Sequence, residues 1–172
     1  MINYDLSKIT TVIFDVDGVL SSSTIGLSTE GMPMRTVNIK DGYAIQLAVK
    51  MGLRLAIITG GKDDAIHLRY SALGMKDIFM AAGVKIKVLQ SYMEANKLTK
   101  EEVAYVGDDI PDYEVMQCVG LPCCPADACS DIKAISQYVS PVNGGYGCAR
   151  DILEQILRAR GQWLSSAKAF GW

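Results

Sequence analysis

Residues 12–20 read VIFDVDGVL, from Val12 to Leu20. An apolar run of strand length ends in two acids two positions apart, and a glycine follows at once. Isolated carboxylates are costly inside a buried strand, so Asp15 and Asp17 belong at its exit, where water, a cation or a ligand meets them. Side chains alternate along an extended chain, so residues i and i+2 face one substrate from one side, and Gly18 lets the backbone turn away immediately.

Working outward from that strand (Thr11 to Phe14), apolar runs of strand length alternate with amphipathic segments. This is the pattern of a parallel sheet wrapped by helices, an α/β, Rossmann-like three-layer sandwich. The next helix is expected from Asp41, a good N-cap, to Gly52, a typical C′ residue. Leu53 to Thr59 is a second buried strand, Lys62 to Leu73 a helix ended by Gly74, and Ile78 to Ala81 a short strand. A helix follows from about Lys85 to Asn96, then a strand at Val103 to Gly107 and a helix at Ile110 to Val119. The remainder holds two short strands and a last helix, Ala149 to Arg160.

Between the first strand and Asp41, Thr24 to Ser28 and Met32 to Ile39 flank Thr29-Glu30-Gly31, a turn in which glycine supplies positive φ. This segment, about residues 24–39, is expected to protrude as a β-hairpin. Repeats, low-complexity tracts and linkers are absent, which predicts one domain over 1–172 with a tail at about 162–172. That tail carries Trp163, Phe170 and Trp172 and is aromatic enough to be expected against a partner subunit.

The chain has 172 residues, 49% of them hydrophobic, with 17 basic and 19 acidic side chains. So even a balance makes no basic field for a nucleic-acid backbone. No apolar segment approaches the roughly twenty residues that span a bilayer, and no leader pattern opens the chain, so a cytoplasmic location is expected. Five cysteines without a C-x-x-C pair, and a single histidine, His67, argue for reduced and mostly buried thiols rather than a metal site. His67 itself reads as an exposed structural residue.

In open parallel sheets, ligands bind beyond the carboxyl ends of the strands. Three strands deliver functional groups there: Asp15 and Asp17 from the first, Thr59-Gly60-Gly61 from the second, and Gly107-Asp108-Asp109 from a later one, with Asp112 one turn further on. Carboxylates crowded on one rim share protons or hold a hard cation, and an oxygen-rich set suits Mg2+. A phosphate substrate would also need a cation, which Lys85 supplies at the start of a helix.

D-V-D-G-V (Asp15 to Val19), I-T-G (Ile58 to Gly60), a lysine before a helix, and G-D-D-I-P-D (Gly107 to Asp112) together resemble the four ordered motifs of the haloacid dehalogenase superfamily of phosphotransferases. Alone, a D-x-D is usually a turn with Asx hydrogen bonds, Thr59 an ordinary strand-end residue and Lys85 a solvated one; four motifs in order reverse those readings. The resemblance implies that Asp15 attacks phosphorus to form an aspartyl phosphate and that Asp17 serves as general acid, then general base. It implies Mg2+ held by the carboxylates of Asp15 and Asp108 and the backbone carbonyl of Asp17. Thr59, Gly60 and Lys85 would bind phosphoryl oxygens, with Asp109 and Asp112 orienting the metal's waters and the lysine. Lys87 is the rival for the lysine role; Lys85 gives the ungapped match.

The intervals between motifs leave no room for a cap domain, which resembles the capless group acting on phosphates of eight- and nine-carbon 2-keto-3-deoxy sugar acids. N-I-K-D-G-Y-A-I (Asn38 to Ile45) and G-G-Y-G-C-A-R-D-I-L (Gly144 to Leu153) are nearer to its eight-carbon enzyme, of lipopolysaccharide synthesis. The resemblance implies a homotetramer in which the hairpin joins a barrel and a neighbouring subunit covers the site. Gly61 stands where relatives often carry a charge, so a sugar contact is missing or moved to Lys62. Arg69 sits where relatives place an arginine for the substrate carboxylate; Arg69 and Lys62 read equally as surface residues. The glycines at 144, 145 and 147 are open between a plain loop and close approach to a neighbour's ligand. Competing readings are a catalytically silent relative, which the presence of both Asp15 and Asp17 disfavours, and a signalling receiver domain, which carries its phosphoacceptor on a central strand and not as the first acid of a D-x-D.

Overall fold

A computed structural model describes residues 1–171; Trp172 of the tail lies outside the described residues. In chain order the strands are β1 (Thr11–Phe14), β2 (Gly26–Leu27), β3 (Pro33–Met34), β4 (Arg54–Ile58), β5 (Asp77–Phe79), β6 (Val103–Val106), β7 (Leu121–Cys124) and β8 (Tyr138–Val139). The helices are α1 (Ile39–Lys50), α2 (Asp64–Ala72), α3 (Lys85–Ala95), α4 (Tyr113–Gln117), α5 (Ser130–Ile135) and α6 (Cys148–Ala159).

Six strands make one sheet in the order β5-β4-β1-β6-β7-β8, every neighbouring pair parallel. The chain builds β4 and β5 to one side of β1, then crosses to β6 on the other, so the topological switch lies at β1 itself. Both faces of β1 are covered, which is why Thr11–Phe14 is buried throughout. Strand alternation sorts the core into two layers. Val12, Phe14, Leu55 and Ile57 pack with Ile45, Leu47, Ile152 and Ile156, while Ile13, Ala56, Ile58 and Tyr105 pack with Leu89, Tyr92, Val115 and Met116.

Three expectations are revised. Asn38, not Asp41, caps α1: its Oδ1 accepts from the backbone N–H groups of Lys40 and Asp41 at 2.8 and 3.2 Å. Asp41 lies in the first turn, buried, and its Oδ1 accepts from the N–H of Arg150 at 2.6 Å. It thereby caps α6, whose own N-cap, Gly147, has no side chain. Burial pushes the Asp41 carboxyl up to about 6 against the pull of that hydrogen bond. The hairpin is shorter than expected, two residues per strand, with Gly31 at φ +78° in the turn; Arg35 to Asn38 leave it to meet other parts of the chain. Between the last two strands a short helix, α5, forms where no periodicity announced one. In the tail, the Trp163 ring meets Tyr43 edge-on at 6.1 Å and the Arg150 guanidinium lies 4.4 Å above it, leaving the ring half-buried. Phe170 stays exposed.

All five cysteines are free, three of them buried, and His67 is exposed. Among the described residues no helix is long and apolar enough to cross a membrane.

Candidate active site

The β1 ladder continues one residue past the strand, with the Asp15 N–H donating to the Val106 carbonyl at 3.0 Å. Val16 turns into the core, and its carbonyl accepts from the N–H groups of Val19, Leu20 and Ser21 at 3.2, 2.9 and 2.8 Å, closing a tight turn. Gly18 has φ +86°, and a Cβ there would stand 1.9 Å from Asp108 Oδ2. Only glycine lets the β1 exit and the β6 exit come this close. The loop before α6 is equally close: a Cβ on Gly144 would lie 1.7 Å from the Gly18 carbonyl oxygen and one on Gly145 2.4 Å from the Ser22 nitrogen. Within the chain, these glycines serve close backbone approach to the turn that carries Asp15 and Asp17.

Lys85, first residue of α3, extends across the strand ends to Asp15 Oδ1 at 3.0 Å and Asp112 Oδ1 at 2.7 Å. The Tyr105 hydroxyl, buried on β6, also donates to Asp112 Oδ1 at 2.8 Å, and the Asp108 N–H donates to Asp112 Oδ2 at 3.2 Å. Asp112 is therefore committed to holding Lys85, Tyr105 and the β6 exit in place. Thr59 is buried at the end of β4, its hydroxyl accepting from the Gly61 N–H at 3.1 Å.

Asp15, Asp17, Thr59, Gly60, Lys85, Asp108, Asp109 and Asp112 line one cleft of about 1030 Å3. Lys87 and Lys62 are exposed elsewhere. Arg69 borders a separate recess of about 220 Å3 between α2 and the base of the hairpin. Its guanidinium occupies the space above Gly42, where a Cβ would be 2.6 Å from Nη2.

Two residues that sequence reasoning missed enter here, Tyr105 and Arg35. Arg35, just past β3, donates from Nε and Nη2 to the two Asp17 oxygens at 2.7 and 2.9 Å, and from Nη1 to Asp63 at 3.3 Å. Tyr105 reads as an ordinary core aromatic and Arg35 as a solvated hairpin residue, so neither carried a signal.

The charge balance of the cleft bears on a metal. Oxygens of Asp15, Asp108 and Asp112 lie within 4.8 Å of one another, and a single lysine meets them. Burial first, then repulsion from Asp112, pushes Asp15 up to about 6 despite Lys85; burial and then the charge of Asp15 push Asp108 to about 7. Burial works against the Lys85 charge, but its two carboxylate partners prevail and raise its pKa. Acids held this reluctantly ionised form the kind of oxygen-rich set that a hard divalent cation fits.

The chain belongs to a class of hydrolases: residues 62–152 match the model of the haloacid dehalogenase-like hydrolases. The chain is 36% identical over 161 residues to the 3-deoxy-D-manno-octulosonate 8-phosphate phosphatase KdsC of Escherichia coli K12, covering 94% of this chain and 85% of that protein. Among solved structures, a probable YrbI family phosphatase of Pseudomonas syringae superimposes with TM-score 0.91 at 32% identity, over 96% of this chain and 94% of that one. The 3-deoxy-D-manno-octulosonate 8-phosphate phosphatase of Moraxella catarrhalis, crystallised with magnesium, phosphate and KDO, does so with TM-score 0.86 at 30% identity, over 90% of this chain and 89% of that one.

Proposed function

We propose that this chain is a Mg2+-dependent phosphomonoesterase that hydrolyses 3-deoxy-D-manno-octulosonate 8-phosphate to the free sugar acid and phosphate, a cytoplasmic step of lipopolysaccharide synthesis. The observation that carries the chemistry is the Asp15 carboxylate, 3.0 Å from the buried Lys85 ammonium in an acid-rich cleft. The substrate is argued from the relatives, since fold alone does not choose a sugar.

An Asp15 oxygen forms a bond to phosphorus as the ester bond to the sugar's terminal oxygen breaks, giving an aspartyl phosphate. Asp17 delivers its proton to the departing alkoxide. It then takes a proton from the water that attacks phosphorus, which frees Asp15 and releases phosphate. Lys85 fixes the nucleophile and, with Thr59 and the backbone at Gly60, neutralises oxygens of the transferring group. Mg2+, held by Asp15, Asp108 and the Asp17 carbonyl, would supply charge neutralisation between nucleophile and phosphate.

Leu27, Met32, Met34, Val37 and Ile39 are large apolar side chains left exposed on and beside the hairpin. They support a homotetramer in which the hairpin is buried and a neighbour covers the cleft; light scattering tests it.

The deciding experiment is phosphate release with Mg2+, comparing the eight-carbon 8-phosphate, the nine-carbon 9-phosphate and hexose phosphates. We expect kcat/KM at least ~10-fold higher for the eight-carbon acid, the scale a few contacts supply. Preference for the nine-carbon acid or for hexose phosphates would overturn the substrate assignment. Asp15→Asn should abolish turnover with the melting temperature retained; full activity in that variant would remove the mechanism.

A further inference from the structure

We propose that Arg35 is the positioning residue for Asp17, a fork of donors that fixes the carboxylate plane of the group moving the proton. The inference rests on the reading of Asp17 given above. Both Asp17 oxygens accept from Arg35, and the third arm of the guanidinium reaches Asp63, the N-cap of α2. Asp17 lines the cleft, whereas Arg35 lies behind it in the recess between hairpin and α2. The arginine therefore acts on the reaction through the aspartate and not by touching phosphate.

An aspartate's terminal torsion is broad, so a carboxylate at the rim of an open cleft sweeps unless something holds it. A bidentate guanidinium holds both its place and its plane. The seat is built: the Thr36 N–H donates to Ser21 Oγ at 3.2 Å and the Ser22 N–H to Thr36 Oγ1 at 3.4 Å, tying the hairpin's exit to the turn that follows Asp17. Gly61 completes it, since a Cβ there would stand 3.1 Å from Arg35 Nη2 and 3.0 Å from Ile66 Cδ1. A glycine at 61 makes room for the guanidinium.

The test is leaving-group dependence, which a merely structural role does not move. A sugar alkoxide needs the proton from Asp17; p-nitrophenolate leaves without it. Arg35→Ala should lower kcat/KM for the sugar phosphate ~30- to 100-fold and for p-nitrophenyl phosphate less than ~3-fold, the scale of a misplaced proton donor. Arg35→Lys should restore part, because a point charge cannot hold two oxygens. In an Asp17→Asn background Arg35→Ala should add nothing. Should Arg35→Ala fail to fold, Arg35→Gln, which fills the same recess but offers one amide group in place of the fork, should give the same selective loss. Equal losses on both substrates, or an undiminished loss in the Asp17→Asn background, would overturn the proposal. If Asp17→Asn itself leaves sugar-phosphate turnover intact, the reading of Asp17 fails, and the role of Arg35 falls with it.

Discussion

Asp15 and Asp17 stand two residues apart and each meets a cation, yet the two pairs are built differently. The Lys85 side chain is 6% exposed, and its partners Asp15 and Asp112 are 11% and 1% exposed. The Arg35 side chain is 11% exposed, but its partners Asp17 and Asp63 are 39% and 25% exposed. Water screens the second cluster and hardly reaches the first, so charge neutralisation matters most around Lys85. Geometry differs in the same sense: lysine offers a point charge shared between two acids, arginine a planar fork that matches one carboxylate. The inner cluster governs the electrostatics of Asp15, and the outer one fixes the carboxylate of Asp17.

The sharpest way to break this contrast is Lys85→Met. It leaves Asp15, Asp108 and Asp112 facing one another without the lysine, and removing one member of a buried ion pair costs about 3–5 kcal/mol. Urea denaturation at neutral pH with a chelator should show a loss on that order, part of which Mg2+ restores. Phosphatase activity should fall ~10²- to 10³-fold, as when a donor to a developing charge is removed. An unchanged urea midpoint would show that the cluster is neutralised in another way.

A pH series sharpens the same point without mutation. In the metal-free protein Asp15 and Asp108 take up protons at about 6 and about 7, against an ordinary 3.8. Between those limits the folded chain binds more protons than the unfolded chain. The stability these acids contribute is therefore complete below about pH 4 and is lost as pH rises through 6 and 7. With a chelator, the melting temperature should fall from pH 5 to pH 8; Mg2+ should reverse the fall at pH 8, and Asp108→Asn should flatten it. An identical slope in Asp108→Asn would remove that residue from the account.

The smallest effect belongs to the outer cluster. Asp63→Ala deletes the N-cap acceptor of the Ala65 N–H, at 2.9 Å, together with the third arm of Arg35. The cap is worth about 1 kcal/mol. The ratio of sugar-phosphate to aryl-phosphate turnover should move less than in Arg35→Ala, because both Asp17 bonds remain; a larger shift would make Asp63, and not the fork, the anchor.

The strands were legible because burial on both faces demands unbroken apolar runs, and each acidic motif could be placed at a strand end by its position alone. Lys85 was preferred to Lys87 because it gives the ungapped match to the family it resembles, and it is Lys85 that reaches Asp15. Helix starts were less legible. Asp41 has the chemistry of a cap, but which helix it caps depends on α6 lying beside α1, 109 residues further along the chain. Nothing local showed that Tyr43 and Arg150 would meet Trp163. Arg35 gave no sign at all, since its partners Asp17 and Asp63 lie 18 and 28 residues away.

By itself, then, the sequence determined the α/β class, the strand ends that carry acids, and the family to which four ordered motifs belong. The first two are properties of periodicity and spacing, the third of motif residues that resemble the family's, and all are written in one dimension. The tertiary structure alone decided which cation meets which acid, why Gly18 and Gly144 tolerate no side chain, and which helix Asp41 caps. Such contacts depend on distances of about 3 Å between residues far apart in the chain, and only packing of the strands, helices and hairpin brings them together.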